Sequence, residues 1–380
     1  MENKEILMRR YNANFDNARK CVDQGNFVEA KQYFKNALEA AIQLVQSTSG
    51  NERDRFNANA KMVAGFIEKI NAKLQAAESP KKPDAPVKPT TTTEAKAPAA
   101  PVKKKSVEEA LAQLNNLIGL ASVKEQVAKM ISVIKNRNVR ASRGLSNPVM
   151  SFHMAFTGNP GTGKTTVARI MADILCALGI LKGGQLVEVK RSDLVAEYVG
   201  QTGPKTQAKI NEAMGGVLFI DEAYDLAQGG QNDFGKEAIN ALLVEMENHR
   251  DEFVVIVAGY RDPMKNFIGA NEGLKSRFSR YIHFDDYTGE ELYKIFCSNC
   301  MKDSYILAED AKAIVRQKFD EMYANRDKHF GNGRTARQIY EQTVTKQAER
   351  LEPLGGNVSD LELVTILAED LDFNIPSIED

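Results

Sequence analysis

The stretch TGNPGTGKTT, residues 157–166, sets three glycines and a proline around one lysine and a run of threonines. Gly158, Gly163, Lys164 and Thr165 stand at the spacing G-x-x-x-x-G-K-[ST]. Upstream, FHMAFT reads as a buried strand; downstream, TTVARIMADIL reads as a helix. Strand, loop and helix is the context that this spacing needs to grip a phosphate chain. The glycines let the backbone curl until successive N–H groups point inward, and the helix adds its positive N-terminal end. A bare glycine-rich turn needs neither the lysine nor the hydroxyl. Gly158, Asn159, Pro160, Gly161, Thr162, Gly163, Lys164, Thr165 and Thr166 are therefore the candidate nucleotide-binding residues. Lys164 is expected to reach the β- and γ-phosphates of ATP, and the Thr165 hydroxyl to take a Mg²⁺ position.

A second motif supplies acids. In GGVLFIDEAYDL, Asp221 and Glu222 follow an apolar run that reads as a strand. An acid at a strand's carboxyl end can organise Mg²⁺, while its neighbour polarises the attacking water. Asp221 is the candidate for the first role and Glu222 for the second.

Around these motifs the pattern alternates. FHMAFT, QLVEV, GVLFID, FVVIVAG and RYIHF read as buried strands, with VARIMADILCAL, KTQAKINEAM and KEAINALLVEMENH as helices among them. That alternation predicts an α/β fold, a parallel sheet covered by helices on both faces, over residues 106–287. After about residue 287 the strands are expected to stop. Helical patterns in EELYKIFCSNCM, EDAKAIVRQKFDEMYAN and ARQIYEQTVTKQAERL predict a smaller helical domain over residues 288–380.

The first 77 residues are different in kind. Met8, Tyr11, Phe15, Ala18 and Val22 make one helical stripe, broken at Gly25-Asn26. Tyr33, Phe34, Ala37, Leu38, Ala41 and Val45 make a second, ending near Ser49-Gly50. Phe56, Val63, Phe66, Ile67, Ile70 and Leu74 make a third. Three such stripes predict a small three-helix bundle over residues 1–77, with a plain dimerisation or spacer module as the simpler reading. Residues 78–105 hold prolines, lysines, threonines and alanines with almost nothing to bury, which predicts a flexible linker.

Composition narrows the function classes. Lysine and arginine number 50 against 51 acids, so overall charge argues for no polyanionic partner. No apolar run approaches the roughly 20 residues that span a bilayer, and MENKEILMRRYN lacks a signal peptide's apolar centre. Four cysteines make no disulfide framework and suit a reducing, cytoplasmic compartment. Cys297 and Cys300 form a lone CxxC within a helical pattern, read as two ordinary thiols, and the four histidines lack ligand spacing.

Four further segments carry a resemblance: LNNLIGLASVKEQV, DLVAEYVGQTG, ANEGLKSRFSRYIHF and GNGRTARQI. With the two motifs above, and in this order, they make residues 107–350 resemble an AAA+ ATPase module. Within that superfamily the sequence resembles the branch of red-type Rubisco activase, stage V sporulation protein K and the type VII secretion ATPases. The resemblance implies that Ile118, Gly119 and Leu120 wall the adenine. It puts the arginine finger on Arg277, with Arg280 close behind. It places Arg334 near the γ-phosphate, with Arg337 as the alternative, and a pore loop at Tyr198, Val199 and Gly200. One position departs from the pattern. Where Asn, Ser or Thr commonly senses the nucleotide, this sequence has Gly259 and Tyr260.

GNFVEAKQYFKNAL, in the second helical stripe, resembles the microtubule-interacting-and-trafficking (MIT) domain, and also a single tetratricopeptide unit that does not recur. Together the resemblances imply a Mg²⁺-dependent, ATP-driven protein remodeller, an unfoldase or disassembly chaperone. It would form a homo-oligomeric ring, typically a hexamer, hydrolyse ATP at subunit interfaces and pull a polypeptide with its pore loops. The bundle would recruit a partner protein. The alternatives are a nucleotide-gated scaffold, which has no use for Tyr198, and a nucleic-acid-directed motor, which needs a basic pore lining.

Overall fold

The computed structural model describes residues 4–23, 26–48, 105–148, 150–228 and 234–374, with residues 53, 56, 57, 60, 63–67 and 70 between them. The expected linker up to Lys104, the break at Gly25, the stop near Ser49-Gly50 and the apolar Leu74 lie outside the described residues. The chain divides into two compact units. One holds Met1–Ala99, Met301–Ile306 and Leu351–Thr365; the other holds Ala100–Cys300, Leu307–Arg350 and Ile366–Asp380.

In the first unit, helix α1 spans Lys4–Asp23 and α2 spans Phe27–Ser47. The Asn26 side chain caps α2 by accepting from the Glu29 backbone N–H, 3.3 Å away. The apolar stripes close on each other: Tyr11, Ala18, Phe34, Ala37, Leu38, Ala41 and Val45 are buried together with Phe56, Val63, Ile67 and Ile70. Phe34 and Phe66 stack at 5.2 Å, and Phe15 meets Phe34 edge-on at 5.6 Å. Aromatic pairs of this geometry add about 0.5–1.5 kcal/mol each beyond burial. Ile306 and Leu361, from the unit's other two segments, are partly buried against the same core.

The second unit starts with α3, Val107–Asn116, and α4, Ala121–Ser142. Ser106 and Glu109 form a capping box at the head of α3. Strand β1, Met154–Thr157, leads into α5, Lys164–Ala177; β2, Leu186–Val189, is followed by α6, Thr202–Ala213. Then come β3, Val217–Ile220, α7, Gly235–Asn248, and β4, Val254–Gly259. Two helices absent from the sequence expectation come next, α8 at Arg261–Gly269 and α9 at Glu272–Arg277, before β5 at Arg280–His283.

The five strands are parallel in the order β2-β3-β4-β1-β5. All six residues of β4 and all four of β3 are buried, which explains why both read as unbroken apolar runs. β1 lies between β4 and β5, pairing Met154 with Ile256 and with Arg280. The phosphate-loop candidate thus leaves from inside the sheet, two strands from the end of β3 that carries Asp221 and Glu222.

Beyond β5 lie α10, Gly289–Lys302, α11, Glu309–Ala324, and α12, Gly333–Leu351. The expectation that strands stop after residue 287 is corrected in one detail. Two-residue strands, Ile306–Leu307 and Thr365–Ile366, pair as a second small sheet. Segments so short carry no period for sequence to reveal. Among the described residues no helix is long and apolar enough to cross a membrane.

Candidate functional site

β1 hands the chain to the loop under control of its neighbours. The Gly158 N–H still donates to the β4 carbonyl of Gly259 at 3.1 Å, after which the loop curls away. Gly161 has φ of +71°, and a Cβ there would stand 2.2 Å from the Gly331 carbonyl oxygen. No other residue fits that approach. α5 begins at Lys164, with Gly163 in the left-handed region before it and no side chain capping its N–H groups. Those donors are available to an anion.

The loop borders a cavity of about 720 Å³. Gly158, Pro160, Gly161, Gly163, Lys164, Thr165 and Thr166 line it, and so do Asp221, Glu222, Ile118 and Arg334. Four of the expected binding residues stand behind the wall, among them Leu120, buried just before α4. Thr162 is fully buried and its hydroxyl donates to the Asn159 carbonyl at 2.8 Å. The Asn159 amide turns to Asp286, at 3.0 and 3.2 Å from the two carboxylate oxygens. Gly119, at φ +64°, is pressed towards Glu291, where a Cβ would lie 2.5 Å from a carboxylate oxygen. They support the loop and its approach rather than line the space.

Lys164 donates its ammonium to the carbonyls of Gly158 and Asn159, both at 2.8 Å. Burial pushes its pKa down to about 8, although the Asp221 and Glu222 carboxylates favour the charged form. A nucleotide's phosphates would favour it further. The Asp221 N–H donates to Val189 at 3.0 Å, extending the β2–β3 ladder by one residue. Glu222 comes next at φ +51°, a left-handed conformation costing a non-glycine residue about 1–2 kcal/mol, and its N–H donates to Asp221 Oδ1 at 3.2 Å. Strain of this kind concentrates where function requires it. Among the described residues no three His, Cys, Asp or Glu side chains converge to hold a metal by themselves. Thr165 and Asp221 share the cavity. A hydroxyl and one carboxylate suit a Mg²⁺ ion held jointly with phosphates.

Several lining residues escaped the sequence reading. Asn116, Leu117, Tyr287, Ile295, Ser298 and Asn299 also face the cavity, bringing α10 into it. The Tyr287 hydroxyl donates to the Thr162 carbonyl at 3.3 Å, and burial pushes its pKa up to about 12. Arg337 lines the cavity as well as Arg334, but its Nε is paired with Glu341 at 3.0 Å. Gly259 and Tyr260 both lie on the wall.

Arg277 and Arg280 are elsewhere. They line a separate cavity of about 410 Å³ with His153, Glu247 and Arg250. The Arg277 guanidinium lies 3.4 Å from the Glu247 carboxylate and donates to the Gly273 carbonyl at 3.3 Å. Tyr198, Val199 and Gly200 line neither cavity; Tyr198 is 68% and Val199 83% exposed. Lys205 and Lys209, the nearby bases, are engaged: Lys205 donates to the carbonyls of Ser192 and Val195, and Lys209 pairs with Glu212 at 2.9 Å. Cys297 and Cys300 sit on α10 and form no disulfide, with burial raising the Cys297 pKa.

Residues 154–286 match the family of ATPases associated with various cellular activities (AAA), and residues 288–380 match the AAA lid domain. The chloroplastic ribulose bisphosphate carboxylase/oxygenase activase of Cyanidioschyzon merolae is 42% identical over 272 residues, covering 71% of this chain and 92% of that one. The ESX-3 secretion system protein EccA3 of Mycobacterium tuberculosis is 41% identical over 281 residues, covering 70% of this chain and 44% of its own length. A solved FIGL-1 AAA domain in complex with ADP aligns at a TM-score of 0.49 with 16% identity, covering 71% of this chain and 90% of that domain. A phosphate loop, an acid pair at a strand end two places along the sheet and a lid thus come together with the family match. The chain belongs to the AAA ATPases, with relatives among the Rubisco activase and type VII secretion ATPases, and it binds nucleotide and hydrolyses ATP.

Proposed function

We propose that the chain is an ATP-driven protein remodeller that works as a homo-oligomeric ring, typically of six subunits, and pulls a polypeptide through its centre. The observation that carries this reading is the Tyr198-Val199-Gly200 loop. Two large apolar side chains stand 68% and 83% exposed on a module that hydrolyses ATP. An exposed aromatic grips unfolded chain by apolar contact without regard to sequence, which suits a substrate of arbitrary composition. The names of the relatives, an activase and a secretion-system protein, fit work on other proteins. The engagement of Lys205 and Lys209 speaks against a nucleic-acid track.

In this reading Lys164 and the loop N–H groups bind the phosphates, and Glu222 accepts a proton from the attacking water. Thr165 and Asp221 would hold Mg²⁺, which neutralises charge on the phosphates. Ile118 contacts the base. Arg277 of the adjacent subunit stabilises the phosphoryl in flight, and Arg334 reports the γ-phosphate to the lid, whose rotation moves Tyr198. Residues 1–77 act as an MIT-like recruiting module on a linker over 78–105, ahead of the large domain at 106–287 and the lid at 288–380. Cysteines that form no disulfide fit a cytoplasmic setting.

Tyr198→Ala tests the threading step. ATP turnover should stay within about twofold of the parent, because the loop touches no phosphate, while unfolding of a tagged model substrate should drop at least about tenfold. A variant that unfolds the substrate as fast as the parent would leave the nucleotide-gated scaffold as the better account.

A further inference from the structure

Asp286 is the last residue of the AAA match, and the lid match begins at residue 288. Its carboxylate collects groups from both sides of that junction. The Asn159 amide donates to Oδ1 at 3.0 Å and to Oδ2 at 3.2 Å from the phosphate loop. From the lid, the Asn332 amide donates to Oδ1 at 2.7 Å, and Arg326 Nε lies 3.5 Å from Oδ2. Arg326 is itself fixed, its guanidinium 3.9 Å over the Tyr323 ring.

Asn332 is the more constrained partner. It is fully buried at φ +51°, and all its amide groups are used. Its oxygen accepts from the Tyr287 N–H at 2.8 Å, while its nitrogen donates to Asp286 and, at 2.9 Å, to the Phe330 carbonyl. A left-handed asparagine held at three points fixes the direction in which the chain leaves it. The next residue is Gly333, whose N–H donates to the Gly161 carbonyl at 3.1 Å, and after it comes Arg334 on the cavity wall. Start of lid helix and phosphate loop are therefore joined twice, by backbone at Gly161–Gly333 and by side chains through Asp286.

We infer that Asp286 is a positioning residue that locks the lid-helix start to the phosphate loop, and so sets where Arg334 meets the γ-phosphate. This rests on the proposed role of Arg334 at that phosphate. A carboxylate suits the task because it can accept from two amides and a guanidinium at once, and charge-assisted bonds are about twice as strong as neutral ones. The consequence is selective. ADP offers no γ-phosphate, so loosening Arg334 weakens ATP and spares ADP.

The experiment measures equilibrium affinities of the full-length chain for ADP and for the β,γ-imido analogue of ATP, with melting temperature as the check on folding. Asp286→Ala and Asn332→Ala should each weaken the imido analogue about tenfold, the low end of what losing a hydrogen bond to a charged group costs. ADP should shift less than about twofold. Adding Arg334→Ala to Asp286→Ala should weaken the analogue no further than Arg334→Ala alone, because both act on one contact. If the alanine variant does not fold, Asp286→Asn decides. It keeps the shape but sets an N–H₂ against the donors of Asn159 and Arg326, and should show a smaller loss of the same selectivity. Equal weakening of both nucleotides, or losses that multiply with Arg334→Ala, would reduce Asp286 to a structural bond. Lys164→Ala separates the two readings: if it still binds ADP at full affinity, the site itself is misassigned, whatever Asp286 does.

Discussion

Arg334 and Arg277 carry the same charge and stand in opposite situations. Arg334 is exposed on the wall of the nucleotide cavity of its own chain. Arg277 lines another cavity, leans on Glu247 and donates to its own helix. The difference separates what one chain can complete from what it leaves to a neighbour. A guanidinium already in the cavity can act on its own nucleotide. One outside it stabilises a phosphoryl group only if a second copy brings that group to it, so on the proposed reading the ring is part of the catalytic apparatus.

The largest effect should come from the arginine outside. Arg277→Ala should cut turnover by about 10³–10⁵, the range for arginine fingers, with ADP affinity unchanged. Mixed with Lys164→Ala subunits it should recover part of that activity, since some boundaries then pair an intact finger with an intact loop. Co-assembled rings that never recover would put both arginines in one class and dissolve the contrast.

Arg334→Ala should act in its own chain, and mixing should not rescue it. Losing a charged hydrogen bond of about 1.5–3 kcal/mol should weaken the imido ATP analogue some 10–100-fold and leave ADP nearly untouched. Calorimetric titration of both ligands would show it. A parallel loss of ADP would move Arg334 away from the γ-phosphate.

The smallest effect sharpens the contrast between arginine, which does not titrate, and Lys164, which does. With the Lys164 pKa held down to about 8 by burial, the ligand-free site loses its charge as pH rises past 8. Nucleotide affinity should then fall with pH, by at most about tenfold per unit. The ligand-free fold moves the other way. Between pH 8 and the ordinary lysine range the unfolded chain holds a proton that the folded chain does not, so Lys164 adds stability as pH climbs and loses it as pH falls back through 8. Affinity that is flat from pH 7.5 to 9.5 would mean that the lysine stays charged there.

Much of the fold and of the site is legible in the sequence. The central strands announce themselves because parallel strands buried on both faces are continuous apolar runs, as VLFI and VVIVAG are, whereas the edge strands LVEV and RYIH are only partly buried and mix polar residues in. The loop is legible because glycine, lysine and threonine at fixed spacing have one common reason to occur together. The hidden part depends on contacts between distant residues. Nothing near Asp286 in sequence points to Asn159, 127 positions away, or to a left-handed Asn332. α8 and α9, 9 and 6 residues long, are too short for a convincing period. Ser298 and Asn299 look like an ordinary polar face of α10 until the cavity is seen beside them.

Gly259 and Tyr260 stand where the resemblance implies a polar side chain, and on Gly259 the room is limited. A Cβ there would lie 2.6 Å from Cε1 of Tyr224 and 3.0 Å from Met264. The ring of Tyr224, two residues past Glu222, already fills the room that an asparagine or threonine would need. Glycine and tyrosine are thus one choice made at two positions, and the order in which they can change is fixed. A lineage or an engineer wishing to install the usual polar group on β4 must first shrink residue 224; the reverse order passes through a clash. With Tyr224 kept, the hydroxyl left on that wall is that of Tyr260, one residue further along.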